Sequence, residues 1–188
     1  MSRVRAPDRA LSTNFVDAGA MGLVLFFFYG GFKEGVLMTR KELAMNYFKE
    51  GYNCAQAVVL AFEDLTGMDK STLLKLSSSF GGGLGRLREV CGSVSGMAII
   101  LGIVYGYDDA SSHEEKSAHY ARIQEVAHKF EEKNGSIVCR ELLGLATKHD
   151  SPVPEARTEG YYKKRPCVEL VGDSAEILDE YITNHPVK

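Results

Sequence analysis

The chain has 188 residues, 45% of them hydrophobic and 25% charged, proportions that suit one soluble globular domain with a substantial core. A net charge of −3, with no stripe of interleaved aromatic and basic residues, argues against a nucleic-acid-binding surface. Four cysteines are too few for a disulfide-stapled secreted mini-protein and point to a redox or metal role, or to none.

Residues 1–37 read as a leader outside the fold. Its apolar run, residues 18–32, is too short for a membrane span. Arg3, Arg5 and Arg9 precede the run, as in a signal peptide, but Asp17 lies beside it and no small-x-small cleavage site follows. Lys33-Glu34-Gly35 can be encoded by a purine run resembling a bacterial ribosome-binding site, at a workable spacing before Met38. Met38 is therefore the expected native start, and residues 38–188 the expected domain.

From there the chain reads as helices. Thr39 to Glu42 forms a capping box opening a helix over residues 39–50, with Leu43, Ala44, Tyr47 and Phe48 at helical spacing. Asn53 caps a second helix, over 54–66, which Gly67 ends. A short helix follows over 69–79. The most apolar stretch, 89–105, is expected to be buried on most sides. Ser112 to Glu115 is a further capping box, starting a helix over 112–134 whose inner stripe is Ala118, Ile123, Val126 and Phe130; Gly135 terminates it. Ser136 is placed to cap a short helix holding Cys139. Residues 144–165 are polar and irregular, and Tyr161-Tyr162-Lys163-Lys164-Arg165 reads as a solvated loop. The last helix is expected over 167–183. The fold class is all-α, a single-domain bundle of about six helices.

Cys54, Cys91, Cys139 and Cys167 each fall near an expected helix start. Free N–H groups and partial positive charge there favour the thiolate, which attacks disulfides and binds metals. Against this stands the plainer reading that the four are small buried residues. No two of them form a C-x-x-C pair, so a zinc knuckle and a thioredoxin-type motif are disfavoured. A bundle can still bring several helix starts to one end. Gly81-Gly82-Gly83-Leu84-Gly85 lacks the Gly-Lys-Ser/Thr of a P-loop and no strand precedes it. It reads either as a turn or as flexible backbone beside Cys91, with Gly82, Gly83, Gly85 and Arg86 as weak cofactor-binding candidates. Arg86 and Arg88 add positive charge. His113, His119, His128, His149 and His185 read as surface residues.

Phe80-Gly81-Gly82-Gly83-Leu84-Gly85-Arg86 followed by Glu89-Val90-Cys91-Gly92-Ser93-Val94-Ser95-Gly96 resembles the signature of the C_GCAxxG_C_C family. Asn53-Cys54-Ala55-Gln56 matches that family's leading cysteine, and Cys139 and Cys167 match the third and fourth. Val90, Gly92 and Gly96 depart from the family's spacing around the second. The resemblance covers residues 38–173 and implies a redox or metal role, with no reaction assigned. It also makes Cys54 with Cys91 the first pairing to consider.

Two states of the four cysteines are then expected. They hold an iron–sulfur cluster as metal ligands, a [2Fe–2S] centre being favoured, or they cycle as catalytic dithiols and disulfides. The leading expectation is a cytoplasmic electron-transfer protein serving an unidentified redox partner protein, without nucleic-acid or membrane partners and compatible with a homo-oligomer. The alternatives are a thiol–disulfide oxidoreductase and a non-catalytic structural or regulatory module.

Overall fold

The computed structural model describes residues 38–146 and 150–186. The leader, 1–37, and His149 lie outside them. Among the described residues there are eight α-helices and no strand, so the all-α expectation holds, with six helices of seven residues or more. These are α1 (Arg40–Lys49), α2 (Cys54–Leu60), α3 (Lys70–Ser77), α4 (Gly92–Tyr105), α5 (His113–Asn134), α6 (Cys139–Leu142), α7 (Glu159–Lys164) and α8 (Cys167–Asn184).

α8 is the central element and packs against α1, α2, α4 and α5. α2 runs beside α4, and α3 covers α2. Phe48, Phe62, Met97, Ile100, Leu101, Phe130 and Leu178 are fully buried where these helices meet. Ion pairs fix α8 from its polar side. Asp173, itself buried, accepts from Lys133 at 2.9 Å and Lys41 at 3.3 Å, tying α8 to α5 and α1.

Most local signals act as expected. Thr39 and Asn53 each complete a reciprocal capping box, with Glu42 and Gln56. Asp69 caps α3, and Gly135 closes α5 in the left-handed conformation at φ 86°. Ser112 accepts from the Glu115 N–H, which is half of the expected box.

Four expectations are corrected. The second helix stops at Leu60, not 66: Arg40, 6% exposed, donates to the Ala61 carbonyl and clamps Asp64 at 2.6 and 2.9 Å, so the carbonyls freed there are satisfied by a side chain. α4 begins at Gly92, because the backbone before it is in no helical conformation. Residues 159–164, read as loop, form α7, capped by Thr158. Ala118 is exposed, so α5 meets the core from Ile123 onward and not along its first turns.

Candidate redox site

All four cysteines stand at helix starts. Cys54, Cys139 and Cys167 are the first residues of α2, α6 and α8, and Cys91 is the N-cap of α4. The local causes differ. Asn53 sets the start of α2: its side chain accepts from the Gln56 N–H and donates to the Ser78 carbonyl, which anchors the Cys54 end to α3. Pro166 occupies the N-cap before Cys167. Val138, not Ser136, is the N-cap before Cys139; Ser136 accepts from the Val138 N–H one step upstream.

Cys91 and Cys139 are held by a short antiparallel pairing. Val90 bridges Val138, the Cys91 N–H donates to the Ile137 carbonyl at 2.8 Å, and the Cys139 N–H donates to the Glu89 carbonyl at 2.6 Å. The two cysteines sit diagonally across that bridge on one face.

The segment leading into this bridge is strained. Gly82, Gly83, Leu84, Gly85 and Arg86 all have φ between 56° and 71°, and Arg88 has φ 63°. Left-handed backbone costs about 1–2 kcal/mol for each non-glycine residue, here Leu84, Arg86 and Arg88. The N–H groups from Leu84 to Glu89 donate to backbone carbonyls, so this loop is no open cradle of donors. A Cβ on Gly83 would lie 2.7 Å from the Cys139 Cβ, so only glycine lets the loop press against that cysteine. Gly83 thus packs beneath Cys139, while Gly82, Gly85 and Arg86 line the cavity described next. At the start of α4 a Cβ on Gly92 would meet the Phe80 carbonyl at 2.7 Å and the Cys54 Cβ at 3.1 Å.

The four cysteines converge on a single cavity of about 290 Å³. All four are free thiols; Cys91, Cys139 and Cys167 are buried and Cys54 is partly exposed. Arg86, Arg88, Arg157 and Arg165 share the lining. Arg88, 3% exposed, reaches Asp150 at 2.8 Å and places a guanidinium nitrogen 3.9 Å from the Cys139 sulfur. Arg157 donates to the carbonyls of Phe48 and Tyr52 and stacks on the Phe48 ring at 4.1 Å.

The thiols are not alike. The neighbouring Cys54 thiol, followed by the charges of Arg165, Arg157 and Arg88, holds the Cys167 thiol below its ordinary value against the opposing effect of burial. Cys167 in turn drives Cys54 well above its ordinary value, with burial adding to the rise. Burial pushes Cys91 to about 11, although Ser93 Oγ lies 3.3 Å from its sulfur. Burial also raises Cys139, and Arg88 offsets only part of that. Helix starts therefore do not by themselves acidify these thiols. A helix end contributes roughly 0.3–1 kcal/mol, less than one pKa unit, whereas burial can move a group by about 3–5. α2 and α6, with seven and four residues, are also too short to project much dipole.

Sequence reading missed Arg157 and Arg165, which lie in the stretch taken as irregular and solvated. The adjacency Arg165-Pro166-Cys167 was the available signal. Among the described residues, no group of three or more Cys, His, Asp or Glu side chains is arranged to hold a metal ion. The four sulfurs are the right donors for a [2Fe–2S] centre but are not gathered about a common point, so the cavity in this form does not fit one. No helix of the described residues is long and apolar enough to cross a membrane.

A helical bundle that brings four thiols and four guanidiniums to one cavity defines a protein with a cysteine-based site. Residues 52–181, more than half of the chain, match the family model described as "Putative redox-active protein (C_GCAxxG_C_C)". The chain belongs to that family. The match begins at Tyr52, so α1 lies before it. No curated protein and no solved structure matches the chain.

Proposed function

We propose that the protein is a thiol–disulfide electron carrier whose working pair is Cys54 and Cys167. The observation that carries this reading is placement: Cys54 and Cys167 begin α2 and α8 on one cavity wall that also carries Arg157 and Arg165, and with those guanidiniums they influence each other so that Cys167 is lowered and Cys54 raised. The nucleophile and its resolving thiol are therefore already neighbours. The Cys167 thiolate attacks one sulfur of a disulfide substrate and forms a mixed disulfide, releasing the other half as a thiolate that takes up a proton. Cys54 then loses its proton and attacks the Cys167 sulfur. The products are the Cys54–Cys167 disulfide and a second free thiol. Two electrons and the Cys54 proton leave the protein for the substrate, and solvent supplies the second proton. A dithiol donor, here read as a partner protein in a reducing cytoplasm, returns them. This pairing replaces Cys54 with Cys91 as the one to test first.

An iron–sulfur centre is the second reading. Four cysteines on one cavity wall supply its donor number, and the arginines would offset its negative charge, but it requires the sulfurs to close in further. Anaerobic purification with iron and sulfide analysis, then stoichiometric oxidation and mapping of the disulfide by mass spectrometry, separates the readings. Iron-free protein that forms a Cys54–Cys167 disulfide supports the exchange reading. Stoichiometric iron and sulfide with all four thiols protected overturns it in favour of the cluster. Iron-free protein whose thiols all resist oxidation until denatured overturns it in favour of a packing role.

A further inference from the structure

The charges around the cavity identify what it accepts. Four guanidiniums line it. Two carboxylates answer them: Asp150 pairs with Arg86 and Arg88, and Glu155 pairs with Arg165 and, at 3.5 Å, with Arg86. Arg157 has no carboxylate partner among the described residues; its nitrogens go to neutral carbonyls and its face to an aromatic ring, which leaves the charge uncompensated. Arg88 is buried with its Nε unpartnered. Four guanidiniums against two carboxylates leave the wall with positive charge in excess, whether or not Cys167 is ionised, inside a recess where solvent screening is weak. The volume, about 290 Å³, is at the small end for a small-molecule site.

We propose that the oxidised substrate is a small disulfide carrying carboxylate or other anionic groups. This inference rests on the exchange reading. The excess positive charge attracts the substrate's anionic arm and Arg157 holds it, while the disulfide lies against Cys167. The attack forms the Cys167–substrate bond and breaks the substrate's own sulfur–sulfur bond. The departing half leaves as a thiolate. Cys54 completes the reduction as described above, and an external dithiol resets the pair.

A matched aliphatic series tests it: dithiodipropionate as the dianion, hydroxyethyl disulfide as the neutral member and cystamine as the dication. Formation of the Cys54–Cys167 disulfide in the full chain is followed by mass spectrometry, and each rate is divided by that reagent's rate with free mercaptoethanol. The expected order is anion, neutral, cation, with about 10-fold or more between the extremes at low ionic strength and a narrowing gap as salt is added. Inorganic sulfate should slow the anion selectively. Arg157→Gln should shrink the ratio of anion to cation by about 3-fold or more; should that variant not fold, the salt and sulfate responses of the native chain decide alone. A cation as fast as the anion, or a ratio indifferent to salt, overturns the charge assignment while leaving thiol exchange intact. Oxidation by a protein disulfide but by none of the three reagents overturns the small-molecule assignment in the same way. Failure of every disulfide to oxidise the pair defeats the exchange reading itself, and this inference with it.

Discussion

The two cysteine pairs on the cavity wall make an instructive comparison. Cys54 and Cys167 begin α2 and α8 and move each other's titration in opposite directions. Cys91 and Cys139 begin α4 and α6, face each other across the Val90–Val138 bridge, and are both raised by burial. Sequence position is equivalent in the two pairs; chemistry is not. What sets Cys167 apart is that its neighbours, Cys54 and three guanidiniums, outweigh burial, whereas burial outweighs Ser93 at Cys91 and Arg88 at Cys139. The difference teaches that a thiol's neighbours, rather than its place on a helix, select the nucleophile.

The largest expected effect of breaking this asymmetry comes from the reactive pair. Cys167→Ser should slow reaction with small disulfides by about 100-fold or more, because the remaining thiols stay protonated at neutral pH. Cys54→Ser should leave the first attack in place but trap a stable mixed disulfide on Cys167, visible as a mass increase. Cys91→Ser and Cys139→Ser should change the rate by less than about 3-fold, a contrast read by stopped-flow or mass spectrometry.

Next in size are substitutions at the close contacts that set the wall. Gly83→Ala forces a Cβ at φ 69° to within 2.7 Å of the Cys139 Cβ and 2.9 Å of the Glu89 backbone. Gly92→Ala pushes a Cβ to 2.7 Å from the Phe80 carbonyl oxygen. Each should lower unfolding free energy by about 2–4 kcal/mol, measured as a shifted denaturant midpoint. The same change at exposed Gly160, whose nearest neighbour would be 3.8 Å away, should cost little.

Stability should also depend on pH through the unreactive pair. Cys91 is raised from 9.0 to about 11 in the fold, so the unfolded chain ionises first. Its contribution is complete below pH 9 and is lost as pH rises towards 11, a fall of roughly 2–3 kcal/mol. Cys91→Ala should flatten that part of the profile. Cys167 has the opposite sign: its lowered value stabilises the fold above the unfolded thiol's pH range, and that contribution disappears as pH falls through the folded value. The smallest effect is expected from Arg88→Met. Losing the third of the three guanidiniums that act on Cys167 should reduce its alkylation rate at neutral pH by about 2- to 5-fold.

Much of the fold was legible because its signals are local. Thr39, Asn53, Asp69 and Gly135 act within one turn of their helix, and the helix periods follow directly from their apolar residues. What was not legible depends on distant partners. The early end of α2 needs Arg40, the placement of Cys91 needs its bridge to residues near Cys139, and α7 needs Arg157 and Tyr162 to pack on Phe48 and Arg157 to pack on Tyr161. At the site, the cysteines and Arg86 could be listed from sequence, but not which thiol would ionise. That choice is made by Arg157 and Arg165, from a segment with no helical period, and by the contact between Cys54 and Cys167, which are far apart in the chain.

The central claim is that one thiol of the four is set apart. Anaerobic alkylation of the reduced chain, quantified residue by residue across pH, tests it most directly. Cys167 should react first, with a midpoint below the ordinary value of 9.0, well ahead of Cys91, near pH 11, and of Cys54, which is also raised well above the ordinary value. Four thiols titrating together, or Cys91 reacting ahead of Cys167, would contradict the account.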